Sequence, residues 1–204
     1  MNFSEVNVSW FRLVNDLGKE YPFLNPIFSF IAEYMVIFLV LSVILYWFTK
    51  DSDNRMMILC ATFAFICAFS IGKVIGIFHS NYQPFVELPD VNKLIHKEKD
   101  NSFPSDHTIL FFSYCTSFWL YKKGWSLVWM LLAILVGVSR IWVGVHYPFD
   151  VLAGIVLSLV TSTFIYLLLP KLRVTQSTLK IYTKYENMLL HRIKRTKENK
   201  SNNF

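Results

Sequence analysis

The chain has 204 residues, of which 54% are hydrophobic and 17% are aromatic. Its long apolar runs exclude an ordinary soluble domain, because about 20 consecutive apolar residues suffice for a helix to cross a bilayer. The formal net charge is +6, and three cysteines that all lie within apolar segments do not predict a disulfide framework.

The first predicted element is an amphipathic helix within residues 1–22. Apolar side chains recur there at helical spacing, at Phe3, Val6, Trp10, Leu13, Val14 and Leu17, with charged residues between them. This pattern is typical of a helix that lies in the membrane interface, and it ends near Gly18 and Pro22. A helix that packs on the protein core fits the same pattern, so both interpretations stay open.

Five apolar segments follow, each long enough to be a candidate transmembrane helix. They are Ile27–Phe48, Met56–Phe78, Pro104–Tyr121, Trp125–Val143 and Phe149–Leu169. We therefore predict an all-α polytopic membrane protein with one membrane-embedded domain, residues 1–170, and a basic tail, residues 171–204. Beyond Arg195 the tail has a polar composition that predicts disorder.

The positive charges predict how the chain is oriented in the membrane. Thirteen of the 20 Lys and Arg lie between the first and second spans, between the third and fourth, or after the fifth. By the positive-inside rule these segments, including the C-terminus, are cytoplasmic. Residues 79–103 and 144–148 then face the outside. We expect the tail to bind the anionic membrane surface rather than nucleic acid.

Two short polar blocks fall at this outer face. The first reads Ser102-Phe103-Pro104-Ser105-Asp106-His107. With Pro104 as the first helical residue of the third span, the amides of the next three residues lie in the first turn. Free amides and the helix dipole favour a phosphate there. Ser105 adds a hydroxyl, and His107 adds an imidazole that can donate a proton.

The second block contains Ser139-Arg140, His146 and Asp150. The guanidinium of Arg140 matches phosphate oxygens in a bidentate fork. Asp150, one helical turn beyond His146, can fix its tautomer and leave the other ring nitrogen free to attack. Metal binding is an alternative for such side chains, but the blocks lack the closely spaced ligand pairs of zinc sites, so we expect no metal.

The two blocks resemble the second and third signature motifs, PSGH and SR-x5-H-x3-D, of the type-2 phosphatidic acid phosphatase superfamily. The third motif matches fully, whereas Asp106 replaces the glycine of the second. This substitution, the five-span layout and Pro84-Phe85-Val86 resemble the undecaprenyl-pyrophosphate phosphatases associated with bacitracin resistance. The resemblance covers roughly residues 25–169.

The resemblance implies an enzyme of the bacterial plasma membrane that hydrolyses a polyprenyl diphosphate without metal or cofactor. In this family pattern His146 is the nucleophile that forms a phosphohistidine, Asp150 orients it, and His107 protonates the leaving group. The phosphate ligands implied are Ser105, Arg140 and, through its backbone, Ser139.

The first motif of the superfamily, K-x6-RP, is degenerate in this chain. Pro84 keeps its place, but Gln83 stands where the pattern has arginine and Gly76 where it has lysine. Lys73 is the nearby cation, one helical turn earlier and on the same helix face as position 76. We therefore expect Lys73, together with hydrogen bonds from Gln83, to bind phosphate.

Glu33 is an acid inside the first predicted span. It lies about 10 Å from the start of that span at 1.5 Å per residue, a depth similar to that of Lys73. Ionisable residues inside a membrane are costly and are usually paired or functional. We hypothesise that Glu33 and Lys73 face each other beneath the phosphate site. A protonated Glu33 that is hydrogen-bonded between helices is the alternative.

Two other functions fit part of the sequence. One is the same chemistry on phosphatidylglycerol phosphate, phosphatidic acid or a diacylglycerol pyrophosphate, since the spans do not specify the lipid tail. The other is a transporter or an accessory subunit of an export complex without catalysis, which explains the spans and charges but not both polar blocks.

Overall fold

The fold is known from a computed structural model that describes residues 2–201, with side chains described for residues 2–189 and for Arg192. The helices within this range are α1 (Phe3–Asn15), α2 (Leu17–Glu20), α3 (Asn25–Phe48), α4 (Ser52–Phe78), α5 (Pro84–Glu87), α6 (Asp106–Lys122), α7 (Leu127–Trp142), α8 (Pro148–Leu168) and α9 (Arg173–Ser201). Over the same range, the β structure is limited to one isolated antiparallel bridge between Tyr82 and Asn101.

Four described helical segments are long and apolar enough to cross a membrane: Pro22–Phe48, Ser52–Phe78, Gly124–Trp142 and Pro148–Lys171. Together with α6 they correspond to the five predicted spans, and every helix begins and ends within about four residues of its prediction. The all-α membrane fold is thus confirmed. The third span, α6, has 17 residues and is about 26 Å long.

The short helix α6 lies in the centre of the bundle and packs against α4 and α7. Its buried side chains include Phe111 and Phe118 as well as the polar Ser113 and Ser117. The hydroxyl of Ser117 donates to the Ser113 carbonyl at 2.8 Å, and Ser162 of α8 donates to the same carbonyl at 3.2 Å. Because protein rather than lipid surrounds α6, the hydroxyls of Ser117 and Ser162 find their acceptor inside the bundle, whereas the Ser113 hydroxyl has no hydrogen-bond partner among the described residues.

Large apolar side chains cover the outward faces of the surrounding helices. Leu45, Ile77, Leu131 and Val160, from four different helices, are each at least 60% exposed. Apolar surface of this extent is unfavourable in water, but it matches the hydrocarbon core of a bilayer. The exposed surface therefore agrees with a protein embedded in a membrane.

The N-terminal helix α1 uses one face to pack on the end of α7. Asn15 is fully buried, and its amide nitrogen donates to the carbonyl of Trp142 at 2.8 Å and to that of Asn92 at 3.1 Å. On the opposite face Phe3 and Leu13 are 77% and 68% exposed. The helix thus combines packing on the core with an exposed apolar face.

A segment without helix, residues 88–105, connects α5 to α6 and is called the long loop below. It lies directly against α4, where the side-chain amide of Asn101 donates to the Gly76 carbonyl at 2.9 Å. A Cβ atom at position 76 would lie 2.8 Å from the Phe103 carbonyl oxygen, which is too close for any side chain. Glycine at this position therefore allows the loop to approach the helix.

By compactness the chain divides into Met1–Tyr166 and Leu167–Phe204. In the second unit α9 carries exposed apolar side chains at Ile181, Tyr185 and Leu189. It continues to Ser201, so the predicted disorder beyond Arg195 is wrong for residues 196–201. The remainder of that prediction, residues 202–204, lies outside the described residues.

Candidate active site

His146 lies in the tight connection between α7 and α8, and only 2% of it is exposed. Its Nδ1 atom is 2.9 Å from the carbonyl oxygen of Ser102. Because a carbonyl only accepts hydrogen bonds, Nδ1 must carry the proton and Nε2 must carry the lone pair. Nε2 is buried and has no hydrogen-bond partner among the described residues. This nitrogen is therefore available to a substrate.

Asp150 lies in the first turn of α8, as predicted, and is 1% exposed. One of its oxygens, Oδ2, accepts hydrogen bonds from the Ser102 hydroxyl at 2.5 Å and from the Tyr147 amide at 2.8 Å. The same oxygen is 3.6 Å from Nδ1 of His146, too far for a hydrogen bond. Asp150 therefore acts on the imidazole through its charge and through Ser102.

Burial and nearby positive charges keep the imidazole of His146 neutral at physiological pH. Burial lowers the pKa of His146 below the ordinary value, and the positive charges of Lys97 and Arg140 lower it further. The interaction with Asp150 opposes this shift without reversing it. A neutral imidazole with a free lone pair is the nucleophilic form.

Arg140 is also buried, and one of its hydrogen-bond donors has no partner among the described residues. It is 2% exposed, and its Nη1 donates to the Ala32 carbonyl of α3 at 2.8 Å. Its Nε has no hydrogen-bond partner among the residues that the structure describes. A buried guanidinium with an unused donor, whose charge acts on the imidazole of His146, suits a phosphate oxygen.

The N-terminus of α6 differs in detail from the prediction. Ser105 is the N-cap and Asp106 is the first helical residue, so the placement of Pro104 at that position is wrong. The amide of Ser105 donates to the Asp150 carbonyl at 3.1 Å, and its hydroxyl accepts from Thr108 at 3.0 Å. Ser105 thus joins α6 to α8, and the amides of the first turn begin with Asp106.

His107 follows in this first turn and is half-buried. The charges that act on its side chain come from Arg140, His146 and Lys97. The structure therefore brings His107 of the first polar block near His146 of the second.

The hypothesis that Glu33 faces Lys73 is wrong. Lys73 forms an ion pair with Asp106 at 2.8 Å, with both side chains about half-exposed. Glu33 is exposed on α3, next to Ala32, and its charge acts on Arg140. The two side chains have similar depths but face different neighbours, and depth was the basis of the hypothesis.

The structure gives Gln83 and Ser139 structural roles. Gln83 is fully buried, and its amide donates to the Glu98 carbonyl at 3.2 Å and accepts from the Asp100 amide at 3.0 Å. The predicted role of Gln83 in phosphate binding is therefore replaced by anchoring of the long loop. The hydroxyl of Ser139 donates to the Val136 carbonyl within its own helix, at 2.7 Å.

Sequence reasoning missed two residues of the long loop. Ser102 binds both His146 and Asp150, and Lys97 acts electrostatically on both histidines. For Ser102 the available signal was its position two residues before Pro104. For Lys97 there was none, because only the folded loop brings it near the site.

Among the residues that the structure describes, no group of three or more His, Cys, Asp or Glu side chains is placed to hold a metal ion.

The sequence profile of the PAP2 superfamily matches residues 78–173. The Bacitracin transport permease protein BcrC of Bacillus licheniformis is 50% identical over 204 residues, which is the full length of both chains. The chain belongs to the PAP2 superfamily. Within this superfamily it belongs to the BcrC group, and PAP2 proteins are phosphatases.

Other comparisons agree with membership in the PAP2 superfamily. The Undecaprenyl-diphosphatase BcrC of Bacillus subtilis is 34% identical over 157 residues, covering 76% of this chain and 80% of the relative. The crystal structure of LpxE from Aquifex aeolicus matches with a TM-score of 0.65 at 25% identity, over 79% of this chain and 94% of that one. The region that matches the PAP2 profile contains His107, Arg140, His146 and Asp150, whereas Glu33 and Lys73 precede it.

Proposed function

We propose that this PAP2 protein hydrolyses undecaprenyl pyrophosphate to undecaprenyl phosphate and inorganic phosphate. The observation that carries the proposal is the state of His146, whose Nδ1 proton is donated to the Ser102 carbonyl while the buried Nε2 has no partner among the described residues. A nucleophile in this state suits phosphoryl transfer. The printed name of the Bacillus subtilis relative supports the choice of lipid diphosphate.

The reaction takes place in two steps. In the first, Nε2 of His146 attacks the terminal phosphorus, the bond from that phosphorus to the bridging oxygen breaks, and His107 protonates the departing lipid phosphate. In the second, His107 takes a proton from water, which attacks the phosphohistidine and releases inorganic phosphate. Arg140 binds the phosphate oxygens, on which negative charge develops, and Asp150 stabilises the imidazolium.

The membrane surroundings of the site suit a substrate with a long hydrocarbon tail. The outward faces of the spanning helices are apolar, and Arg140 is held to α3 within the bundle. The distribution of Lys and Arg favours an active site at the outer face and a cytoplasmic C-terminus. Removal of the diphosphate form at that face would recycle the cell-wall lipid carrier and, because bacitracin sequesters the diphosphate, would confer resistance to bacitracin.

The test is phosphate release from undecaprenyl pyrophosphate by the purified full-length protein in lipid nanodiscs. We expect His146→Ala to lower the rate at least about a thousandfold, as removal of a nucleophile does. His96→Ala, at an exposed histidine of the long loop, is the matched control and should keep normal activity. With a substrate labelled in its terminal phosphate, the protein should also carry an alkali-stable label that His146→Ala abolishes. Phosphate release that persists in His146→Ala would contradict the mechanism.

The alternative substrates are distinguished by the same assay. Phosphatidylglycerol phosphate, phosphatidic acid and diacylglycerol pyrophosphate are compared with undecaprenyl pyrophosphate at equal mole fraction. We expect the highest kcat/KM for the undecaprenyl substrate. A higher value for a glycerolipid would overturn the substrate assignment and leave the chemistry intact.

A transport function is the second candidate, and one observation favours it: the Bacillus licheniformis relative is named a permease. The buried imidazole and guanidinium are better explained by catalysis, because transport alone does not require a nucleophile held in one tautomer. In cells, bacitracin resistance that survives His146→Ala would favour transport. Loss of resistance in that variant, with normal amounts of protein in the membrane, would favour the phosphatase.

A further inference from the structure

The long loop is fixed to the protein on both sides of Lys97. Before it, Ile95 is buried in an apolar cluster with Trp142 and Val143, at the end of α7. After it, the backbone of Glu98 and Asp100 is hydrogen-bonded to the buried amide of Gln83. These anchors lie only a few residues from Lys97, so its backbone position next to the α7–α8 connection is defined by the fold.

The side chain of Lys97 differs from those of its neighbouring lysines. Lys93 lies 3.7 Å from the centre of the Phe85 ring, and Lys99 lies 4.0 Å from that of Tyr82, so both ammonium groups are occupied by cation–π contacts at the surface. Lys97 is half-buried, and in the described part of the chain its ammonium has no ion pair, hydrogen bond or aromatic contact.

The charge of Lys97 acts on the catalytic groups. Its positive charge acts on both His107 and His146, as that of Arg140 does. Burial lowers the pKa of Lys97, and the nearby positive charge of Arg140 lowers it further. Asp106 and Asp100 raise the pKa of Lys97, but Asp106 already forms an ion pair with Lys73 at 2.8 Å.

The positive charge of Arg140 thus acts on Lys97, and neither side chain forms an ion pair with a carboxylate among the described residues, although Glu33 acts on Arg140 through its charge. Arg140 retains a buried Nε without a partner among the described residues, and Lys97 retains its ammonium. Partly buried like charges destabilise each other, and an anion between them removes this cost. A phosphate group bound by His146 Nε2 would supply that anion.

We propose that Lys97 binds the phosphoryl group that is transferred to His146, opposite Arg140. This inference rests on the proposed phosphatase function and adds a substrate-binding residue from outside the two polar blocks. A phosphoryl group in transfer spreads its negative charge over three oxygens. Arg140 donates from the side of α3, and Lys97 donates from the side of the long loop, so oxygens on two sides are neutralised. An ammonium on a flexible chain can follow the phosphorus as it moves towards Nε2.

The test compares Lys97→Met, Lys97→Arg and the matched control Lys99→Met in the full-length protein in nanodiscs. Two quantities are measured, the KM for undecaprenyl pyrophosphate and the inhibition constant of orthovanadate. Loss of one charge-assisted hydrogen bond should raise both about ten- to a hundredfold in Lys97→Met. Lys97→Arg should restore most of the affinity, and Lys99→Met should leave both quantities unchanged. Thermal unfolding of each variant separates loss of fold from loss of phosphate binding, with Lys97→Gln as a second neutral variant.

The outcomes also separate this inference from the proposed function. Normal KM and normal vanadate inhibition in folded Lys97→Met would overturn the role of Lys97 while leaving the phosphatase intact. If the protein does not hydrolyse undecaprenyl pyrophosphate, calorimetric binding of inorganic phosphate takes the place of kinetics. Weaker phosphate binding in Lys97→Met than in Lys99→Met then supports the role of Lys97, and equal binding refutes it.

Discussion

The carbonyl oxygen of Ser102 lies 2.9 Å from Nδ1 of His146, although 44 positions separate the two residues in the chain. This contact joins the long loop to the α7–α8 connection and selects the tautomer of the imidazole. The imidazole of His146 is therefore positioned by a distant loop as well as by the charge of Asp150, four residues away.

Ser102→Ala should lower kcat about tenfold with little change in KM. The substitution keeps the carbonyl that holds His146, but it leaves buried Asp150 Oδ2 with the Tyr147 amide as its remaining donor, and a hydrogen bond to a charged group contributes about 1.5–3 kcal/mol. Steady-state kinetics on the lipid diphosphate check this. Ser117→Ala, which also removes a buried hydroxyl but within α6, is the control and should keep normal kcat. An unchanged kcat in Ser102→Ala would show that the hydroxyl does not support catalysis.

The imidazole of His146 should titrate below the ordinary pKa of 6.5 and carry its proton on Nδ1, because burial lowers its pKa and the Ser102 carbonyl selects the tautomer. NMR of protein with ¹⁵N-labelled histidine checks both points, and the signals missing from His146→Gln identify the residue. A midpoint above 6.5, or a proton on Nε2, would contradict the structure.

The free energy of unfolding should depend on pH through the same titration of His146. Below pH 6.5 the unfolded chain binds a proton at His146 that the folded protein takes up only at lower pH. The free energy of unfolding should therefore fall as the pH is lowered from 7 towards 5. His146→Gln should weaken this dependence, and unfolding of both proteins over that pH range is the measurement. The same pH dependence in both proteins would assign it to other groups.

Gly76→Ala should destabilise the protein and lower its activity. A Cβ at this position would lie 2.8 Å from the Phe103 carbonyl, and such overpacking typically costs about 1–3 kcal/mol. Gly76→Lys, which restores the lysine of the superfamily pattern, should be worse rather than better. Ile77→Ala, at a side chain that is 77% exposed, is the control in thermal unfolding and activity assays. Increased activity in Gly76→Lys would show that the long loop can move away from α4 at little cost in free energy.

Lys73→Met and Asp106→Asn should be energetically coupled, whereas Lys73→Met and Glu33→Gln should be additive. Lys73 and Asp106 form a half-exposed ion pair, for which a coupling of about 0.2–1 kcal/mol is expected. Double-mutant cycles on the free energy of unfolding measure both pairs. Coupling between Glu33 and Lys73 instead would restore the hypothesis made from the sequence.

The features predictable from the sequence were those that depend on neighbouring residues. Apolar runs located the spanning helices, because a membrane requires about 20 apolar residues whatever the partner helix. The four-residue spacing predicted that Asp150, in the first turn of α8, lies close to His146, which comes two residues before that helix. The helix start predicted at Pro104 is two residues too early. The amide of Ser105 is hydrogen-bonded to the Asp150 carbonyl, and Ser105 is the N-cap of α6.

Features that depend on the path of the long loop could not be predicted. The position of Gln83 in the first motif suggests a phosphate ligand, but the nitrogen and the oxygen of its side-chain amide are both hydrogen-bonded to the loop backbone. Glu33 and Lys73 were paired because of their depth, although the rotation of each helix decides what a side chain faces. Ser102 and Lys97 are brought near His146 by the folded path of the long loop, which neighbouring residues in the sequence do not reveal.

The buried amide of Asn15 donates to the Trp142 carbonyl at the end of α7, four residues before His146. The turn that carries His146 is thus held in place by a contact from α1. An inhibitor that separated α1 from α7 would loosen this turn without imitating a diphosphate. For protein engineering, the same contact argues for fusions and affinity tags at the C-terminus.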